Sequence, residues 1–129
     1  MRPSVFRIVV ASTLVLQVLF AVAMLVAPLV MYCHPLAFEP DRGRPVLAHA
    51  IDSSTTGLFI AWCLRTALRW LPTQTSHALA LTLGVGTMLV ARGMLGLLLT
   101  PYAAFDVTTG VALVVVSGAL WRARVRVTA

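Results

Sequence analysis

The chain has 129 residues, of which 60% are apolar and only 11% charged, against about 25% charged residues in soluble domains. So few charges cannot cover the surface of a water-soluble fold, and the apolar residues cluster in long runs, which indicates lipid as the solvent. The net charge of +6 comes from arginines that flank these runs, with no lysine and no nucleic-acid-binding motif, so we expect no nucleic-acid partner.

The first apolar run extends from Ile8 to Tyr32 and contains no charged residue. About 20 residues suffice for a helix to cross a bilayer, and a signal peptide has an apolar region of only about 7–15 residues. The run therefore predicts a retained membrane helix over residues 8–32. Residues 33–45 follow with three prolines, one glycine and four charges, and they predict a loop outside the membrane.

The second predicted helix covers residues 46–71, between Pro45 and Pro72. It is long enough to cross a bilayer, but it carries more polar residues than the first helix, including His49 and Asp52. Pro45 suits the start of this helix, because no amide donor is needed in the first turn.

The third and fourth predicted helices cover residues 77–99 and 102–121, separated by a turn at Thr100–Pro101. The third contains one charge, Arg92, and four glycines, which in lipid allow close approach of a neighbouring helix. The fourth contains Asp106 in its first turns and ends before three arginines.

These elements predict a single all-α domain over residues 1–129, an integral membrane four-helix bundle with up-down-up-down topology. Seven arginines lie near the side that holds both termini, and two lie near the opposite side. The positive-inside rule therefore predicts that both termini are cytoplasmic. The short loops favour a bacterial inner (plasma) membrane. The seven arginines of the inner side are Arg2, Arg7, Arg65, Arg69, Arg122, Arg124 and Arg126.

Three ionisable residues lie inside the predicted spans at similar depths below the outer ends of their helices: Asp52, Arg92 and Asp106. Such residues cost several kcal/mol in lipid unless they are paired or hydrated. The tight turn between the third and fourth helices predicts that Arg92 pairs with Asp106. His49 shares a helix face with Asp52, at i and i+3, so we expect both to face this polar cluster. The cluster either fixes helix register or holds a ligand.

Catalytic and cofactor motifs are absent from the sequence, including H-E-x-x-H, G-x-S-x-G, C-x-x-C and the glycine-rich phosphate loop. The sequence therefore favours a non-catalytic packing partner or accessory subunit that oligomerises or binds a membrane partner protein, with no cofactor and no metal. One alternative is a small transporter, or a proton or small-ligand site, that uses the polar cluster. Another is a quinone-linked redox subunit, and a haem between His34 and His49 is the least favoured alternative.

In size and number of spans the chain is similar to the small multidrug resistance transporters. Their first helix carries an acidic residue, and none occurs here between Ile8 and Tyr32, so their activity is not carried over. The plan of the chain is also similar to that of the DoxX-like four-helix membrane proteins. That likeness covers the architecture and the sequence Arg92-Gly93-Met94-Leu95-Gly96, followed by Asp106.

Overall fold

A computed structural model describes the backbone of residues 2–33, 40–96 and 103–128, and their side chains except at 28–33, 40–47, 49 and 128. The described part of the chain contains four helices and no strand: α1 (Pro3–Cys33), α2 (Pro40–Trp70), α3 (Thr75–Gly96) and α4 (Ala103–Thr128). The all-α prediction is confirmed.

Two helix boundaries differ from the prediction. α2 begins at Pro40, so residues 40–45 of the predicted loop are helical. Both Pro40 and Pro45 fit the rule that proline suits a first turn, and the chain uses the earlier one. α4 continues through its arginines to Thr128, because arginine is a good helix former and its long side chain reaches the interface from a helical backbone. Residues 34–39 and 97–102, which include the predicted turn at Thr100–Pro101, lie outside the described residues.

Three helices in the described part of the chain are long and apolar enough to cross a membrane, over Pro3–Ala27, Thr75–Gly96 and Ala103–Val127. These helices are compatible with a small membrane protein. Over its described residues α2 is not among these helices, and it carries Asp52 and the hydroxyl-bearing residues 53–56 there. The fourth span stays a prediction.

The chain divides into two compact units, one formed by Met1–Leu14 with Cys63–Ala129 and the other by Val15–Trp62. In the first unit α3 and α4 pack closely. A Cβ atom added at Gly93 would meet the backbone of Ala103 and Val107, and one added at Gly86 would meet the backbone of Gly110. Lower numbers on α3 thus correspond to higher numbers on α4, so these two helices are antiparallel.

Glycine is required where α3 and α4 approach most closely. A Cβ atom at Gly110 would lie 2.7 Å from the carbonyl oxygen of Gly86 and 2.8 Å from the amide nitrogen of Val90. These are backbone atoms of the facing helix and cannot rotate away. The small residues of this seam therefore serve packing inside the chain, as small residues do between membrane helices.

The link between α2 and α3 is a compact turn in the first unit. The amides of Thr73 and Gln74 donate to the carbonyl of Trp70, at 3.1 and 2.6 Å. Near this end the guanidinium of Arg124 donates to the Ser76 hydroxyl at 3.2 Å, which joins α4 to the first turn of α3.

In the second unit, α1 and α2 approach around Gly57. A Cβ atom there would lie 3.2 Å from the Cβ of Ala21. The Ser54 hydroxyl donates to the carbonyl oxygen of Ala21 at 3.0 Å, a hydrogen bond between two helices. Gln17 is buried beside Gly57, and its Nε2 has no hydrogen-bond partner among the described residues.

Candidate functional site

An open groove of about 780 Å³ runs along one side of the α3–α4 pair in the first unit. We call it the α3–α4 groove. Its walls are mostly apolar or small on α3, and on α4 they end in an aromatic and a basic residue. The residues that define it are Leu79, Gly84, Met88, Ser117, Gly118 and Trp121, with Arg122 at one end.

The two glycines of the groove differ from the glycines of the packed seam. A Cβ atom added at Gly84 or Gly118 would meet nothing within 4 Å, whereas one at Gly86 would lie 3.0 Å from a backbone atom of Gly110. Packing inside the described chain therefore does not require glycine at positions 84 and 118. Both line a surface where a side chain would fill empty space.

Ser117 contributes an unusual hydroxyl to the wall of the groove. Its residue is 2% exposed, and its Oγ has no hydrogen-bond partner in the described part of the chain. Other hydroxyls of α3 and α4, such as those of Thr82 and Thr109, donate to the carbonyl four residues earlier. A buried polar group without a partner costs about 1–3 kcal/mol, so a hydrogen bond that satisfies the Ser117 hydroxyl would be stabilising.

A second hollow of about 450 Å³ adjoins the basic end of the groove. It is lined by Trp121, Arg122, Val125 and Arg126, and it shares Trp121 and Arg122 with the groove. Trp121 and both arginines are exposed. No carboxylate occurs among the described residues that line either hollow, so this end of the groove is positively charged.

Arg92 and Asp106, which the sequence predicts to pair, lie in the first unit with Nε and Oδ2 3.8 Å apart. Their side chains are 31% and 17% exposed. Arg92 is four residues before the last described residue of α3, and Asp106 lies in the first turn of α4. Along the helix axis Arg92 therefore lies about 6 Å from Gly96, and Asp106 lies about 4.5 Å from the start of α4. The helix dipole favours Asp106 in the first turn of α4, whereas Arg92 lies before the last turn of α3 and is stabilised by its proximity to Asp106.

The other members of the predicted cluster lie in the second unit. Asp52 is exposed, whereas Ser53 and Ser54 beside it are buried. The contacts of Ser54 and Gly57 with α1 lie on the buried side of α2, and the expected approach of Asp52 to the polar cluster stays a prediction. The side chain of His49 lies outside the described residues, and the meeting of all four groups stays a prediction. Among the described residues, no group of three His, Cys, Asp or Glu side chains could hold a metal ion.

Sequence reasoning singled out the charged residues and missed the groove. The signal was present in the dipeptide Ser117-Gly118, which interrupts an apolar run and is followed by Trp121 and Arg122. Comparison of the chain with protein-family models, with curated proteins and with solved structures finds no match. The functional argument therefore depends on the geometry of the groove.

Proposed function

We propose that the chain is a non-catalytic multi-pass membrane protein that works as a packing partner, holding another membrane component in the α3–α4 groove. The observation that carries this proposal is the pair of open glycines. Gly84 and Gly118 leave a depression in a surface that faces the bilayer. The packing of the described chain does not require glycine at either position. Small residues at such a surface allow close approach of a partner.

The unpartnered hydroxyl of Ser117 supports the same proposal. Polar side chains at membrane interfaces form hydrogen bonds with what packs against them, worth about 0.6–2 kcal/mol each. An apolar groove with a few polar groups is also the usual form of a ligand site, and its volume lies within the range of about 300–1,000 Å³ typical of such sites.

We also propose that α2 is a fourth span, that the four helices form an up-down-up-down bundle and that both termini are cytoplasmic in a bacterial inner membrane. The antiparallel α3–α4 pair and the compact turn after α2 support this topology. The distribution of arginines supports the orientation.

The Arg92–Asp106 pair does not add a second candidate function. The contact joins α3 to α4, and a ligand role for the pair stays a prediction. Transport and quinone-linked redox chemistry remain predictions from the sequence that no contact among the described residues favours.

Native mass spectrometry of the chain purified from its own membranes in mild detergent tests the proposed function. We expect a species heavier than one bare chain. Replacing both groove glycines, Gly84→Leu with Gly118→Leu, should fill the depression and remove at least about nine-tenths of the bound component, because one bulky side chain in a close contact costs about 1–3 kcal/mol.

Ala104→Leu is the matched control, since Ala104 is an exposed small residue of α4 outside the groove. This variant should keep the bound component. A wild-type chain that is always bare, or a bound component that is equally present in the glycine variant, contradicts the proposal.

A further inference from the structure

Polarity changes along the α3–α4 groove in a fixed order. Arg122 stands at one end, and Arg126 lines the adjoining hollow. The hydroxyl of Ser117 comes next, five residues before Arg122 and thus about 7.5 Å further along the helix. Beyond Ser117 the groove continues along α3 as far as Ala91. Its side chains there are apolar or small except for Thr87, whose hydroxyl donates to the carbonyl of Leu83. A phospholipid has its groups in the same sequence: an anionic phosphate, ester carbonyls and an acyl chain.

We propose that the occupant of the groove is an acidic phospholipid. Its phosphate contacts Arg122 and Arg126, an ester carbonyl accepts a hydrogen bond from Ser117, and one acyl chain lies along Gly84 and Met88. This inference depends on the proposed function, because it names the component that the groove holds. Basic pockets beside membrane helices are a known form of recognition for acidic lipid headgroups.

The dimensions of the groove fit an acyl chain. Its wall on α3 extends from Leu79 to Ala91, which is about 18 Å at the rise of an α-helix. The acyl region of one leaflet is about 15 Å deep, half of the hydrocarbon core. Because Gly84 has no side chain, a straight chain can lie against the backbone of α3 at the middle of this wall.

Charge distinguishes a lipid from a second copy of the chain. Two copies that faced each other across this groove, related by an axis along the membrane normal, would place two Arg122 side chains at the same depth in one seam. No carboxylate among the described lining residues would offset them. A phosphodiester supplies the missing negative charge, and arginine binds phosphate through charge-assisted hydrogen bonds.

Quenching of Trp121 by brominated lipids tests the inference directly, because this side chain lines both hollows and is 45% exposed. The full-length chain with Trp62→Phe and Trp70→Phe keeps Trp121 as its one tryptophan, and it is placed in nanodiscs of phosphatidylcholine. Brominated phosphatidylglycerol should reach half-maximal quenching at a lower mole fraction than brominated phosphatidylcholine, by about fivefold for each arginine in contact.

Arg122→Gln with Arg126→Gln should abolish this preference for the acidic lipid. Arg2→Gln with Arg7→Gln removes the same charge elsewhere and should leave the preference unchanged. Gly84→Leu should weaken quenching by the acidic lipid although both arginines remain, and circular dichroism checks that each variant is folded. Inorganic phosphate should not compete.

Equal quenching by the two lipids, an unchanged preference in the Arg122 and Arg126 variant, or displacement by inorganic phosphate overturns the lipid inference. The mass measurement separates this failure from failure of the proposed function. If the component lost from the glycine variant is a second copy or another chain, the groove is a packing surface and the lipid inference is wrong. If the wild-type chain is bare, both fail.

Discussion

Gly110→Ala is expected to destabilise the chain by about 3 kcal/mol or more, at the upper end of the range for overpacked sites. The added Cβ atom would lie 2.7 Å from the carbonyl oxygen of Gly86 and 2.9 Å from the Cβ of Leu89. Because backbone atoms form part of this contact, α3 and α4 must separate to admit a single methyl group. Equilibrium unfolding in mixed micelles with increasing SDS, followed by circular dichroism, measures the loss.

Gly118→Ala is the matched control for this experiment. It makes the same substitution on the same helix, eight residues further on, where an added Cβ atom meets nothing within 4 Å. Its free energy of unfolding should stay within about 0.5 kcal/mol of the wild type, as for a surface substitution. Equal destabilisation by the two variants would contradict the account of the α3–α4 seam.

Val15→Asp should cost about 2.5–3.5 kcal/mol in membrane insertion of α1, the usual cost of a carboxylate at the centre of a span. Val15 lies in the middle of the candidate span Pro3–Ala27 and is 53% exposed. In water, an acidic residue at such an exposed position would be tolerated. The substitution therefore distinguishes lipid from water as the surroundings of this face. A glycosylation-reporter assay of α1 insertion gives the free energy.

Val127→Asp provides the comparison, because Val127 is 88% exposed and lies among the arginines at the end of α4. The same change of side chain there should alter the free energy of membrane insertion of α4 by less than about 0.5 kcal/mol. If Val15→Asp were equally harmless, the exposed apolar face of α1 would not be lipid-facing.

The sequence predicts the helices well because long apolar runs flanked by arginines are typical of membrane helices and rare in soluble folds. It predicts the Arg92–Asp106 pair because the short connection between helices three and four leaves few possible neighbours for either charge. The predicted start of α2 is wrong because Pro40 and Pro45 satisfy the same first-turn rule. Local composition alone does not choose between two such prolines.

Which glycines of α3 line the groove could not be predicted, for a reason particular to membrane helices. Gly84 and Gly86 are two residues apart and point to opposite sides of α3, one open and one packed. In a soluble helix an apolar stripe would mark the packed side. α3 and α4 are apolar on nearly every side, so the sequence does not tell which glycines face the neighbouring helix and which face the bilayer.

Extraction of native membranes with alkaline carbonate, followed by flotation of the vesicles, tests most directly whether lipid solvates these helices. The account predicts that the chain floats with the vesicles after extraction and leaves them only when detergent is added. Release into the carbonate supernatant, as a monodisperse protein that stays in solution in plain buffer, would contradict it.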